Sequence, residues 1–162
     1  MTKTSPPHRP RPFTPQSTPQ RMSASRPTIV VGLIPGPTGA AALRYAARHS
    51  ARSGLPLRLV TAFTGDKTNY AAGGDRSGPV RTAIDAARCQ ERALRRLHRI
   101  SAIAEHEQVI SRGEAAEVLT RVTGVDDLLV LGASRTDGAL AHALQSRARR
   151  GPTITVIPAR SG

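Results

Sequence analysis

The sequence predicts an α/β fold with an open, mostly parallel five-stranded sheet covered by helices on both faces. Two observations predict it. Apolar, β-branched runs alternate along the chain with helix-like segments, and those runs are apolar throughout instead of alternating with polar residues. Strands buried on both faces have that pattern, because helices cover each side of the sheet. The length of 162 residues fits one such domain.

The first half of the domain contains two predicted strands and two predicted helices. Thr28–Leu33 is a buried strand bounded by Pro27 and by a Pro-Gly-Pro loop at 35–37, and an Ala-rich helix follows over 39–53. Residues 57–63 form the second strand, and the glycine-rich stretch 64–78 is a loop. A long helix runs from Pro79 to about Ile103. Its expected inward positions are Ile84, Ala87, Leu94, Leu97 and Ile100 or Ser101.

The second half continues the alternation and ends on a fifth strand. The predicted elements are a short strand at 108–111, a helix at 114–122, a strand at 127–131, a helix at 137–149 and a strand at 153–157. Ligands of such sheets bind beyond the carboxyl ends of the strands, close to the point where the strand order reverses. The loops 33–39 and 132–139 are therefore the expected site.

Residues 1–27 form a predicted disordered arm, and residues 28–162 form the domain. The arm consists largely of Pro, Ser, Thr and Arg, with five basic side chains and no acidic one. The remaining 135 residues carry 19 basic and 11 acidic side chains. A basic arm of this kind either binds an anionic partner or is a solvated leader.

Composition excludes several classes of protein. The chain has no Trp and few other aromatic residues, which disfavours stacking of single-stranded bases on aromatic platforms. A single cysteine, Cys89, excludes an internal disulfide framework and a cysteine-rich metal site. No apolar run is long enough for a membrane span, and no apolar segment of a secretory signal is present. A cytoplasmic protein is expected.

Four stretches of the chain resemble the universal stress protein (UspA-like) family. They are IVVGLIPGPTGAAALRYAA at 29–47, PLRLVTAF at 56–63, GEAAEVL at 113–119, and DLLVLGASRTDG at 127–138 with a closing GPTITVIP at 151–158. The resemblance covers roughly residues 28–160. It implies a Rossmann-like sheet of order 3-2-1-4-5, a homodimer formed through the last strand, and a role in stress tolerance.

Some members of this family bind ATP, and the resemblance allows their motif to be compared with this chain. An Asp follows the first strand in those members, and the matching position here is Ile34. Their phosphate loop has the pattern G, two residues, G, nine residues, G and S/T. Gly132 and Ser146 match it, whereas Arg135 and Gln145 replace the other two glycines.

A helix count argues against the match at Ser146. A helix that started there would leave only Arg147–Arg150 before the Gly-Pro stop at 151–152, which is barely one turn. A helix over 138–149 capped by Asp137 is more consistent with the sequence, and it shortens the phosphate loop. A carboxylate at that helix N-terminus repels a phosphate.

We therefore expect a degraded nucleotide site and no cofactor. The alternative is a regulatory protein that binds ATP or AMP, with Gly132, Arg135 and Ser146 as candidate nucleotide-binding residues. In that alternative the guanidinium of Arg135 forms charge-assisted hydrogen bonds with a phosphate. These bonds replace the contacts that are lost with the missing glycines.

The long helix also carries a basic stripe. Arg88, Arg92, Arg95 and Arg99 are spaced by four, three and four residues and fall on one helical face, with Arg96 beside them. A second alternative follows: a basic, nucleic-acid-associated protein that uses the arm and this stripe. The other interpretation is a solvated face partly neutralised by Asp85 on Arg88 and by Glu91 on Arg95.

No catalytic set is recognised in the sequence. The five histidines are dispersed and do not have the spacing of a metal site, and Ser134 lacks the second glycine of a nucleophile elbow. Asp126 and Asp127 are expected to form the turn before a strand. Cys89 lies in the middle of a predicted helix and is expected to be a small packing residue. We expect a non-enzymatic stress-response or regulatory binding protein.

Overall fold

The computed structural model describes residues 26–65, 80–100, 105–133, 138–147 and 151–158. Residues 1–25 of the predicted arm at 1–27 lie outside this range. The same is true of residues 66–78 of the predicted loop at 64–78, of Pro79 and Ser101, and of Ser134, Arg135 and Asp137.

Nine elements alternate along the described chain. They are β1 (Ile29–Gly32), α1 (Pro37–Ser53), β2 (Leu57–Phe63), α2 (Ala83–Ile100), β3 (His106–Arg112), α3 (Ala115–Val122), β4 (Leu128–Ala133), α4 (Gly138–Arg147) and β5 (Thr153–Pro158). The five strands form one all-parallel sheet of order β3-β2-β1-β4-β5. The predicted fold class and strand order are confirmed.

One face of the sheet is covered by α1 and α2. The small side chains Ala42, Ala46 and Ala47 of α1 bring its backbone close to the sheet. Cys89, Ala93 and Leu97 of α2 pack into the same cluster, against the side chains of β1, β2 and β4 that point to this face.

The opposite face is covered by two shorter helices, α3 and α4. Val118 and Leu119 of α3 and Leu144 of α4 pack against the strand side chains Val30, Val60, Leu129 and Leu131. Successive residues of β1 thus enter different cores, Val30 on this face and Val31 on the other. That alternation explains why the inner strands β1, β2 and β4 are largely apolar on both faces.

Helix α2 begins at Ala83, later than predicted, because Thr82 caps it. The Asp85 backbone N–H donates to the Thr82 hydroxyl over 3.1 Å, and that hydroxyl donates to Oδ2 of Asp85 over 2.7 Å. The Thr82 backbone N–H donates to the same Asp85 oxygen over 3.2 Å, which completes a capping box with Asp in the third position. The Asp85 carboxylate is therefore directed at the helix start, and the predicted pair between Asp85 and Arg88 does not form.

The predicted inward face of α2 is partly wrong. Leu97 is buried and Leu94 half-buried, but Ile84 is 60% exposed, and Ala87 and Ile100 are also exposed. The buried set instead includes Ala86, Cys89, Gln90, Ala93 and Leu97. Gln90 can occupy this face because its Nε2 donates to the carbonyls of Leu59, over 2.8 Å, and Val109, over 3.2 Å.

Strand β3 is longer than the predicted 108–111. All its seven residues pair with β2, from Leu57 with His106 to Phe63 with Arg112. It is an edge strand with several exposed side chains, so its residues do not form an apolar run. Backbone pairing and not burial determines its length.

Two largely buried charged side chains, Asp127 and Arg58, form hydrogen bonds that join neighbouring elements of the sheet. Asp127, predicted as part of a turn before a strand, accepts from the backbone N–H of Thr28 over 2.8 Å and from that of Gly124 over 2.7 Å. Arg58 of β2 is 8% exposed; its Nε donates to Glu107 over 2.7 Å and its guanidinium to the Val122 carbonyl over 2.8 Å. These contacts join β1 to the turn before β4, and β2 to β3 and α3.

Candidate functional site

The strand order reverses between β1 and β4, so the expected site lies beyond the carboxyl ends of these two strands. After β1 the chain runs through Leu33, Ile34 and Pro35 into Gly36, which has a φ of 96°. Pro37 then starts α1, which has no acidic residue in its first turn and no side-chain cap. Ile34 is half-buried at this position.

The first turn of α1 lies very close to the backbone that precedes it. A Cβ atom placed on Gly39 would be 1.9 Å from the Ile34 carbonyl oxygen, so only glycine fits there. The chain therefore folds back tightly over the end of β1.

Gly132, a candidate nucleotide-binding residue, lies near the end of β4 and faces the same turn. A Cβ atom on Gly132 would be 2.6 Å from the Thr38 carbonyl oxygen. The glycine thus allows the first turn of α1 to sit against β4. Backbone atoms of this chain occupy the space directly beside Gly132.

A small cavity remains between the two helices at this end of the sheet. It has a volume of about 40 Å³, and its lining includes Ile34, Gly36, Gly39, Cys89, Arg92 and Arg96. Ligand pockets usually have about 300–1,000 Å³, so this cavity has room for only a few water molecules. An adenine ring does not fit into it.

Cys89 lines this cavity but is not an activated thiol. It is buried, and burial raises the pKa of the thiol, while the positive charges of Arg92 and Arg96 act in the opposite direction. A thiol with a raised pKa is a poor nucleophile at neutral pH. The packing role predicted for Cys89 agrees with its place in the core.

The remaining candidate residues are not brought together with Gly132 in the described residues. Ser146 lies within α4, exposed, and its hydroxyl donates to the His142 carbonyl over 2.8 Å. That is the position expected from a helix over 138–149. Arg135 lies outside the described range. Within that range no cluster of His, Cys, Asp and Glu is suited to hold a metal ion, and no helix is long and apolar enough to cross a membrane.

A larger groove, of about 460 Å³, lies between the outward face of α1 and the end of β5. Its lining residues are Pro37, Ala41, Arg44, Tyr45, Arg48, His49, Arg52, Ile157 and Pro158. Arg44, Arg48 and Arg52 form a row along α1, which contains no acidic residue. The sequence analysis missed this row, although the spacing of four residues without an intervening acid was a usable signal.

The predicted stripe on α2 is exposed as expected. Arg88, Arg92, Arg95 and Arg99 all face solvent, and so does Arg96. Of the two predicted neutralising pairs, the structure contains the one between Glu91 and Arg95. Arg92 and Arg96 also line the small cavity on the side of α1, so the basic surface of α2 reaches the neighbouring helix.

Comparison with solved structures identifies the fold. A protein of the universal stress protein family from Burkholderia pseudomallei has a TM-score of 0.56 and 19% sequence identity, over 82% of this chain and 96% of that one. A universal stress protein in complex with cAMP has a TM-score of 0.55 and 20% identity, over 82% and 97%. One from Archaeoglobus fulgidus in complex with dAMP has a TM-score of 0.52 and 19% identity, also over 82% and 97%.

At the sequence level no protein-family model and no curated relative matches the chain. The structural similarity extends over nearly the whole length of each neighbour, and the strand order is the one that the resemblance implied. The chain has the fold of the universal stress proteins.

Proposed function

We propose that this chain is a non-enzymatic, cytoplasmic stress-response or regulatory binding protein of the universal stress protein type, with a degraded nucleotide site. The observation that carries the proposal is the tight return of the chain after β1. Ile34 stands where the family's nucleotide-binding members have Asp, and the first turn of α1 lies against both Ile34 and Gly132.

Three features of the described residues argue against a bound nucleotide. The side chain of Ile34 is apolar, so it neither donates nor accepts a hydrogen bond to an adenine or a ribose. The cavity beside it has about 40 Å³. The hydroxyl of Ser146 is bonded inside α4 to the His142 carbonyl and is not part of a loop that could surround a phosphate.

Two neighbours of the same fold were crystallised with adenine nucleotides, one with cAMP and one with dAMP. The fold is therefore compatible with a nucleotide, and this chain departs from the family's nucleotide-binding motif at Ile34, Arg135 and Gln145. The proposal depends on these departures and not on the fold.

The proposal is tested by isothermal titration of the purified chain with ATP and AMP in the presence of Mg²⁺, combined with an assay for released phosphate. We expect no binding heat at millimolar nucleotide and no phosphate above the protein-free rate. A universal stress protein that binds a nucleotide serves as the positive control. Saturable binding in the micromolar range contradicts the degraded site, and catalytic phosphate release contradicts the non-enzymatic role.

The alternative, an adenine-nucleotide regulator, is supported by the two nucleotide complexes of proteins with this fold. It requires Arg135 to replace the lost glycine contacts. Under this alternative Arg135→Ala weakens ATP binding at least tenfold, whereas Arg121→Ala, on α3, leaves it unchanged. Equal binding by both variants excludes the alternative.

A homodimer through the last strand is part of the proposal. β5 lies at one edge of the sheet, paired with β4 on one side only, and Val156 on it is 37% exposed. We expect sedimentation equilibrium to show a dimer, and Val156→Lys to shift it to monomer by placing a charge at the interface. A monomeric wild-type chain at high concentration contradicts the dimer.

A further inference from the structure

We infer that the outward surface of α1 and α2 is a binding surface for single-stranded nucleic acid, with phosphates on the arginine rows and a base against Tyr45. This surface, here called the basic layer, consists of Arg44, Arg48 and Arg52 on α1 and of Arg88, Arg92, Arg95, Arg96 and Arg99 on α2. Arg92 and Arg96 also line the small cavity beside Ile34, whereas the other six arginines lie outside it. The inference goes beyond the proposed function.

The charge of the basic layer is the first argument. The two helices carry eight arginines and only two acidic residues, Asp85 and Glu91. All eight arginines are exposed. Within the described residues, only Arg95 of the eight forms an ion pair, with Glu91. The Asp85 carboxylate binds Thr82 at the start of α2. The charge is therefore available to an external anion.

The geometry of the α1 row is the second argument. Arg44, Arg48 and Arg52 repeat every four residues, so the row extends for about 12 Å along the helix at 1.5 Å per residue. A regular row of cations suits a regular chain of anions. Guanidinium groups bind phosphates bidentately, which makes Arg a better phosphate ligand than Lys.

The groove between α1 and β5 is the third argument, because it places an aromatic side chain within the row. Tyr45 is 38% exposed, and its ring stacks on His49 with centroids 6.1 Å apart and an angle of 21° between the planes. Ala41, Ile157 and Pro158 supply apolar lining. Ile157 packs on the α1 face of β5, so the groove lies on that face and not at the free edge through which the proposed dimer forms. A volume of about 460 Å³ is enough for one nucleotide. The few aromatic residues of the chain disfavour a series of stacking platforms, so Tyr45 offers a platform to one base only, and the arginine rows bind the phosphates. A positive groove with an aromatic platform is the combination that proteins use to bind single strands.

An anionic membrane is the competing partner, and the surface suits it less. Helices that lie on membranes bury a broad apolar face of Trp, Phe or Leu. The large apolar side chains exposed on α1 and α2 are only Tyr45, Ile84 and Ile100, among eight arginines.

The test is fluorescence anisotropy of a labelled 20-nucleotide oligo-dT with the full chain, at several salt concentrations. Three double variants each remove two charges: Arg44→Gln with Arg48→Gln on α1, Arg92→Gln with Arg96→Gln on α2, and, as the matched control, Arg112→Gln with Arg121→Gln. The first two should lower the salt slope of log K by about 1.4, at about 0.7 per lost phosphate contact, and weaken binding roughly tenfold or more. The control should keep the wild-type slope.

A second variant separates the base from the phosphates. Tyr45→Ala should weaken binding about fivefold or more without a change of the salt slope, because stacking carries no charge. Its control is Val125→Ala, an exposed apolar residue in the turn before β4. Circular dichroism checks that each variant is folded, and only folded variants are compared.

Four outcomes overturn the proposal. They are an absence of binding to oligo-dT, an equal loss in the control double variant, an unchanged affinity of Tyr45→Ala, and binding to phosphatidylserine vesicles without binding to oligo-dT. The last result assigns the basic layer to a membrane. The expected pattern supports the nucleic-acid proposal: a lower salt slope of log K for the two arginine double variants and an unchanged salt slope for Tyr45→Ala.

Discussion

The two helical layers of this protein cover the same sheet but differ in how they are attached and in what they present to solvent. α1 and α2 are long helices whose attachment includes backbone close approach at Gly39 and Gly132 and buried hydrogen bonds from Gln90. α3 and α4 are short helices that pack through apolar side chains such as Val118, Leu119 and Leu144. The first layer exposes eight arginines, whereas α3 carries one acidic and one basic residue.

The difference indicates which side of the molecule has a chemical specialisation. The sheet supplies an apolar core to both layers, so neither layer needs surface charge for stability. The eight arginines and two acidic residues of the α1–α2 layer therefore belong to its surface and are not required by its core. In contrast, at the switch point backbone atoms of the chain itself lie directly beside Gly39 and Gly132.

The largest expected effect compares two glycines at the ends of neighbouring strands. Gly132→Ala places a Cβ 2.6 Å from the Thr38 carbonyl oxygen, a backbone atom in the first turn of α1. Gly32→Ala, on the α3 side of the sheet, places a Cβ 2.8 Å from the end of the Leu131 side chain. We expect Gly132→Ala to lower the free energy of unfolding by about 3 kcal/mol and Gly32→Ala by about 1 kcal/mol, because only a side-chain end can move aside. Urea unfolding measures both. Equal losses contradict the difference in attachment.

A smaller effect is expected from the buried amide under α2. Gln90→Met removes the hydrogen bonds to the carbonyls of Leu59 and Val109 but keeps most of the side-chain volume. We expect a loss of about 1–2 kcal/mol. Gln145→Met, at an exposed position of α4, is the matched control and should change stability by less than about 0.5 kcal/mol. A neutral Gln90→Met variant shows that the amide does not help to attach the layer.

The basic layer should contribute nothing to stability. Arg44 and Arg48 are like charges four residues apart, which costs a helix a few tenths of a kcal/mol. We therefore expect the double variant Arg44→Gln with Arg48→Gln to have the free energy of unfolding of the wild type, or one higher by up to about 0.5 kcal/mol. Urea unfolding measures the difference. A clear loss of stability means that these arginines are structural, and it weakens the case for a binding surface.

The ionisation of the Cys89 thiol should affect stability only in alkali and not at neutral pH. Its pKa is raised in the folded state by burial, so the folded thiol holds its proton more tightly than the unfolded one. Stability must then fall as the pH rises from the ordinary value of a cysteine towards the folded value. Cys89→Ala lacks this dependence. The measurement is the difference between the urea midpoints of the two proteins from pH 7 to 10, which should be constant up to about pH 8 and then shrink or reverse.

The sequence was sufficient for the fold because most strands are separate, largely apolar runs and each helix between them has its own boundaries. Two details were not accessible to it. The start of α2 depends on Thr82 and Asp85, whereas Pro79 is an equally good start signal when only the chain is known. Gln90 is polar, so periodicity places it outside, and only the positions of the Leu59 and Val109 carbonyls explain its burial.

The candidate site was less accessible than the fold. The substitution at Ile34 is visible in the sequence. The close packing at the switch point is not, because it depends on how near Gly39 lies to the Ile34 carbonyl and Gly132 to the Thr38 carbonyl. The groove beside α1 likewise needs Ile157 and Pro158 of the last strand to lie next to the first helix. Sequence spacing alone contains neither relation.

The most direct test of the proposed loss of the nucleotide site is the thermal unfolding midpoint with and without millimolar MgATP, with MgCl₂ and matched ionic strength as the control. A ligand present at a hundred times its dissociation constant adds about 2.7 kcal/mol, which raises the midpoint of a domain of this size by several degrees. We predict no shift relative to the control. A rise of several degrees would contradict the degraded site and would restore a nucleotide-binding function, with Arg135 as the first residue to mutate.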